Sequence, residues 1–168
     1  MSAVLEAALQ YAARGWPVFF CNANKKPFAG THGHLDATTD TLALERQFRE
    51  HPRAAVALAT GALVVVDADG PGGHAELAAA AAPHGGMPTT AQVLTARGRH
   101  WYFYAPPGVE IQGLNSKRPK GHDGVDVKGR KDGRGGFVLL PPSMSRSGAP
   151  YRWVDTSPIL VMPPWLVD

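Results

Sequence analysis

Leu63-Val64-Val65-Val66-Asp67-Ala68-Asp69-Gly70 is an apolar run that ends in two carboxylates one residue apart. Such a run, closed by Asp-Gly, predicts a buried strand that emerges into a turn. Alternate side chains of a strand share a face, so Asp67 and Asp69 point the same way at the strand's exit. Two like charges held that close repel, and an opposing cation relieves them; hard carboxylate oxygens suit Mg²⁺ or Mn²⁺. Turn aspartates in water are the plainer alternative, and a motif this short does not choose between the two.

The whole chain bounds what that stretch can belong to. At 168 residues it fits one domain with a real core, and a hydrophobic share of 44% is that of an ordinary globular protein. With Gly 19 and Pro 15, short elements joined by many turns are expected. Charged residues make up 18% and the net charge is +3, a balance that permits an anionic partner without demanding one. The single cysteine, Cys21, rules out an internal disulfide and a Cys-rich zinc site; within Val18-Phe19-Phe20-Cys21 it reads as a buried, inert thiol. No run has the length of a membrane span and the N-terminus does not read as a signal peptide, so the expected setting is soluble and cytoplasmic.

Upstream of the opening stretch, residues 3 to 13 carry apolar side chains at helical spacing, with Ser2 at the start and Gly15 at the end. Trp16 to Phe20 reads as a strand, residues 22 to 39 as a long loop, and Thr41 to Glu50 as a helix capped by Asp40. Ala55 to Ala59 and Ala62 to Asp67 read as two strands parted by a hairpin-like break at Thr60-Gly61. Downstream, an Ala-rich helix is expected from about His74 to Ala82. Strands follow at 91–95, 101–104, 125–128, 137–140 and 151–154. Helices near the start followed by several strands indicate an α+β class or a mixed sheet. No repeat or linker divides the chain, so residues 1–168 are expected to form one domain.

Three later features carry chemistry. In Thr95-Ala96-Arg97-Gly98-Arg99-His100-Trp101 a tight basic turn leads into an aromatic strand, and His100 beside Arg97 and Arg99 would suit a polyphosphate; a histidine satisfied by a backbone carbonyl is the plainer reading. In Gly124-Val125-Asp126-Val127-Lys128-Gly129-Arg130, Asp126 and Lys128 share a face, offering oxygen for a cation and ammonium for phosphates, or else a plain surface ion pair. In Phe137-Val138-Leu139-Leu140-Pro141-Pro142-Ser143 a rigid turn presents Ser143, as a ligand contact or simply as a turn residue; no nucleophile elbow surrounds it.

Taken in order, Asp67-Ala68-Asp69, the basic turn with His100 and Tyr102-Phe103, Gly124-Val125-Asp126-Val127-Lys128, and Gly136-Phe137-Val138 before Pro141-Pro142-Ser143 resemble bifunctional DNA primase/polymerase N-terminal (Prim-Pol) domains. These form a branch of the archaeo-eukaryotic primase superfamily typical of phages and plasmids. Tyr11 to Val18, Lys25-Lys26-Pro27, Asp36 to Asp40 and Ser147 to Trp153 extend the likeness over nearly the whole chain. The resemblance implies a primase-polymerase fold, with an α/β layer packed against an RRM-like mixed sheet and a catalytic cleft between them. It implies Asp67, Asp69 and Asp126 as ligands of two Mg²⁺ or Mn²⁺ ions, with no zinc, and His100 as a nucleotide contact. Lys128 and Arg130 would flank the third motif, and Lys25 would lie near the triphosphate. The implied activity is template-dependent nucleotidyl transfer on single-stranded or primed DNA from nucleoside triphosphates, with a helicase or accessory primase region as a further partner. Set against it are a non-catalytic nucleic-acid or nucleotide-binding replication module, and a metal-dependent hydrolase built on His32, His34 and the aspartates.

Overall fold

The structure is a computed structural model and describes residues 1–115 and 123–167. In chain order the described elements are α1 (Ala3–Ala13), β1 (Val18–Cys21), α2 (Thr41–Glu50), β2 (Ala55–Ala59), β3 (Leu63–Asp69), α3 (Gly70–Ala81), β4 (Gln92–Leu94), β5 (Gly98–Tyr104), β6 (Gly124–Lys128), β7 (Arg130–Lys131), β8 (Arg134–Gly135), β9 (Phe137–Leu139), β10 (Arg152–Asp155), β11 (Leu160–Val161) and α4 (Pro164–Val167). Single 3₁₀ turns occur at Gly33–Asp36 and Ala82–His84. The class is α+β, largely antiparallel sheets with few helices among the described residues. The chain divides into two compact units, Met1–Ala59 with Phe137–Arg152 and Thr60–Gly136 with Trp153–Asp168.

The first unit is built on the sheet β1-β2-β9, antiparallel throughout. All four residues of β1 are buried, which is why Val-Phe-Phe-Cys carries no alternation. Tyr11 of α1 stacks on Trp16 at 5.4 Å between ring centroids and donates its hydroxyl to Pro141 O at 2.7 Å. The Asp40 carboxylate accepts from the Leu42 and Ala43 amides and starts α2 where the sequence places it. The segment expected as loop is tied down: Asn22 Oδ1 accepts from the amides of Asn24 and Lys26, and Thr38 bridges to Val18.

The second unit carries the sheet β10-β4-β5-β3-β6, with β11 parallel to β5. One face of it, with Val64, Val66, Ala68, Trp101 and Phe103, packs on Leu77 of α3, Ile111 and Met162 to form the core. Two sequence expectations are corrected here. Thr60-Gly61 is no hairpin, since β2 pairs with β1 and β9 whereas β3 enters the other sheet; Thr60 Oγ1 instead donates to Gly129 O and Gly136 O, at 3.1 and 3.0 Å. The helix expected from His74 starts at Gly70, directly after Asp69. Its glycines lower helix propensity but are needed for approach, because a Cβ on Gly73 would lie 2.4 Å from Gly124 O. Asp123 Oδ2 accepts from the Gly72 amide at 2.7 Å and satisfies a donor of the first turn.

Candidate active site

β3 runs antiparallel between β5 and β6, so each of its residues has a partner on either side. Asp67 stands opposite His100 on β5 and opposite Asp126 on β6; Val65 stands opposite Tyr102 and Lys128. Cross-strand partners and residues two apart project from the same face of a sheet. Asp67, Asp69, His100, Asp126 and Lys128 therefore share the face turned away from the α3 core, on which Val64, Val66 and Ala68 lie.

Each carboxylate meets a basic group of the chain. Asp67 Oδ1 lies 3.5 Å from His100 Nε2, Asp69 Oδ2 lies 3.7 Å from Arg97 Nη1, and Lys128 Nζ donates to Asp126 Oδ2 at 3.0 Å. The ammonium of Lys128 also donates to Asn115 Oδ1 at 3.0 Å, so it is held from two sides. Burial is graded: the His100 side chain is 4% exposed and Asp67 16%, against 34% for Asp69. The Asp67–His100 pair sits deepest, where low dielectric strengthens electrostatic interaction.

Among the described residues, no three His, Cys, Asp or Glu side chains are gathered closely enough to cage a metal unaided. Mg²⁺ seldom asks for that, since it keeps several waters and is bound through one or two carboxylates plus substrate phosphates. Asp67 and Asp126 in direct register, with Asp69 further along the same face, are a donor set of that kind, all hard oxygens. Cys21, the soft donor, is buried in β1 of the first unit, where burial pushes its thiol up to about 11.

Several residues singled out in the sequence are placed elsewhere. Arg99 lies within β5, not in a turn beside His100, and alternation sends it to the opposite face; there Nη1 donates to Gln92 Oε1 at 2.9 Å and the guanidinium lies 6.0 Å from the Trp101 ring centroid. The tight turn comes earlier, where Thr95 Oγ1 accepts from the amides of Arg97 and Gly98. Ser143 does not present its hydroxyl: it is 1% exposed, donates to Val56 O at 3.1 Å and accepts from Val56 N at 2.9 Å. Lys25 is an exposed residue of the first unit, in a turn at φ +60°. Arg130 begins β7, beyond Gly129, and lines a separate cavity of about 530 Å³ with Tyr104 and Gly61. His32 Nδ1 lies 3.2 Å from Asp36 Oδ1 and the His34 ring is stacked with Phe137 at 6.3 Å between centroids; among the described residues neither belongs to a group of three His, Cys, Asp or Glu side chains that could hold a metal. Asn115 and the basic β7–β8 hairpin went unread, although Asp132-Gly133 is a strong hairpin signal.

Compared with known families, residues 8–165 match the family described as bifunctional DNA primase/polymerase, N-terminal. The match runs through both units and includes every residue of the acidic face. No curated protein matches the chain.

Proposed function

Because the chain belongs to the bifunctional DNA primase/polymerase N-terminal family, which points to DNA primase/polymerase activity in general, we propose that it is a template-dependent nucleotidyltransferase working with two divalent cations. The observation that carries this reading is the register of β3, which sets Asp67 opposite His100 and Asp126 at once. On this reading residues 1–168 act as one catalytic domain, and the family match across both units supports it. Among the described residues no helix is long and apolar enough to cross a membrane.

Members of the family generally use divalent metals, and the hard-oxygen donor set fits Mg²⁺ or Mn²⁺. Asp67 and Asp126 would hold the ions, with Asp69 as the further ligand. Bound there, the cations would activate a primer 3′-hydroxyl and stabilise the leaving pyrophosphate. Around them the chain's own groups bind and orient. His100, fixed by burial beside Asp67, donates from its ring to the β- or γ-phosphate of the incoming nucleotide. Lys128, kept in place by Asn115, brings a fixed positive charge to the same phosphates without having to be reoriented during the reaction. Arg97 lies beside Asp69 and is set to follow phosphate oxygens on that side.

The test is incorporation of labelled nucleotides on primed and unprimed single-stranded DNA with Mg²⁺ or Mn²⁺. Wild type is expected to make product, and Asp67→Ala to make none while melting as a folded protein. A folded Asp67→Ala protein that still extends primers overturns the assignment; wild type that binds template without incorporation indicates the non-catalytic module instead.

A further inference from the structure

The geometry points to the β7–β8 hairpin as a grip for the sugar-phosphate backbone of a single strand, formed by Lys131 and Arg134 over Lys128. This rests on the nucleotidyltransferase reading and adds to it the surface that holds the nucleic acid. In Arg130-Lys131-Asp132-Gly133-Arg134-Gly135 the turn residues Asp132 and Gly133 have φ +51° and +74°, both left-handed, the geometry of a tight two-residue hairpin. That turn fixes the register Lys131 opposite Arg134. Like charges in direct cross-strand register oppose ribbon formation, and an anion spanning the two removes the penalty.

The Lys131–Arg134 face opens on a cavity of about 600 Å³ whose lining includes Lys128, Gln112, Asn115 and the backbone of Gly135 and Gly136. Among the described lining residues Lys128, Lys131 and Arg134 are cationic and Asp132 is acidic. Lys128 is paired with Asp126, and the Glu110 carboxylate accepts from the Asp132 amide at 3.0 Å, which leaves Lys131 and Arg134 as the charges the hairpin itself offers. Among the described residues no aromatic side chain lines it to stack on a base, and its cationic lining suits the repeating phosphates, which carry no sequence. Lys128 joins this cavity to the acidic face, since its ammonium donates to Asp126. A strand lying along the hairpin would thus pass beside the carboxylates. Arg130, in register with Gly135, lies on the hairpin's other side and lines the separate cavity with Tyr104.

Phosphate can also arrive as the triphosphate of a nucleotide, and the test separates the two sources. Binding of a fluorescent oligothymidylate is followed by anisotropy across a salt series, without nucleotide or metal, for wild type, the double variant Lys131→Ala/Arg134→Ala and the charge-keeping variant Lys131→Arg/Arg134→Lys. Each phosphate contact on a single strand contributes about 0.7 to the slope of log affinity against log salt, so losing two lowers the slope by about 1.4 and weakens binding ~25-fold near 0.1 M salt. The charge-keeping variant should bind as wild type does. Removing a like-charge pair should leave the melting temperature of the alanine variant at or above that of wild type, which ties lost binding to lost charge. An alanine variant with unchanged affinity and slope overturns the grip. So does one whose KM for nucleotide rises while oligonucleotide binding stays, since the cavity then serves the triphosphate. Anisotropy needs no turnover, so a failure of the polymerase reading shows in the incorporation assay and leaves this measurement intact.

Discussion

Gly98→Ala tests whether the spacing of β3 and β5 sets the site. A Cβ on residue 98 would lie 1.9 Å from Ala68 O, 2.8 Å from Ala68 C and 3.0 Å from Asp69 Cα, all of them backbone. Cβ contacts essentially never fall under 3.0 Å, so the strands must part by about 1.1 Å at this point, and no side-chain rotation relieves it. The shift also pulls on the Gly70 amide, which donates to Arg97 O at 2.8 Å across the same junction. Overpacking that moves backbone costs about 1–3 kcal/mol. At roughly 2–4 °C per kcal/mol for a chain of this size, melting should fall by ~2–12 °C. His100 lies two residues further along β5, opposite Asp67, and an ångström of misplacement costs on the order of 10²-fold in rate. The assay is thermal melting beside primer extension well below the transition. Gly85→Ala is the control: at φ +84° with nothing within 4 Å of its Cβ, it introduces backbone strain without collision. That strain costs about 1–2 kcal/mol, and incorporation per folded molecule should stay at wild type. A Gly98→Ala protein that melts lower yet incorporates at the wild-type rate would refute the claim that this spacing positions the site.

Two further predictions concern the first unit. Ser143→Ala removes the partner of the Val56 amide; Val56 O keeps the Leu140 amide, so about 1–3 kcal/mol should be lost, seen as a lower melting temperature with unchanged KM for nucleotide. A raised KM without a change in melting would return Ser143 to the ligand role read from the sequence. Asp36 is held below the usual carboxylate range, first by the His32 backbone N–H and then by the His32 side chain, against the opposing effect of desolvation. Its folded value lies below its unfolded one, so its stabilising contribution is present above the ordinary range near pH 4 and is lost as pH falls through the folded value. Wild type should therefore lose more melting temperature between about pH 5 and pH 3 than Asp36→Asn does, and parallel curves would contradict it.

Most of the acidic face was legible because it rests on a period of two. Asp67, Asp69, Asp126 and Lys128 sit at alternate positions of strands whose other side chains are apolar, so a face could be read before any pairing was known. The same rule misled at Arg99, since placing the turn too late hid that Arg99 and His100 are consecutive strand residues and must diverge. Ser143 was misread for a different reason: a Pro-Pro turn fixes the backbone but does not say which way the hydroxyl looks, and the Val56 amide that claims it is 87 residues away. The sheet change after Ala59 was equally hidden, because two apolar runs parted by Thr-Gly look the same whether they pair with each other or with distant strands. The start of α3 was missed because its glycines were chosen by close approach to Gly124, against their propensity.

What places the carboxylates is the apolar residues between them. Val125 and Val127 alternate with Asp126 and Lys128 on β6 and pack against the core formed by Val64, Val66, Trp101 and Leu77. A slip of β6 by one residue would turn both valines toward the acidic face and press a carboxylate and an ammonium into the α3 core. Burying those ions costs several kcal/mol each, far more than the fraction of a kcal/mol that like charges opposite each other on β3 and β6 can return. The core therefore fixes Asp67 and Asp126 in direct register on one face, with His100 and Lys128 beside them as the basic groups that offset two carboxylates brought opposite each other.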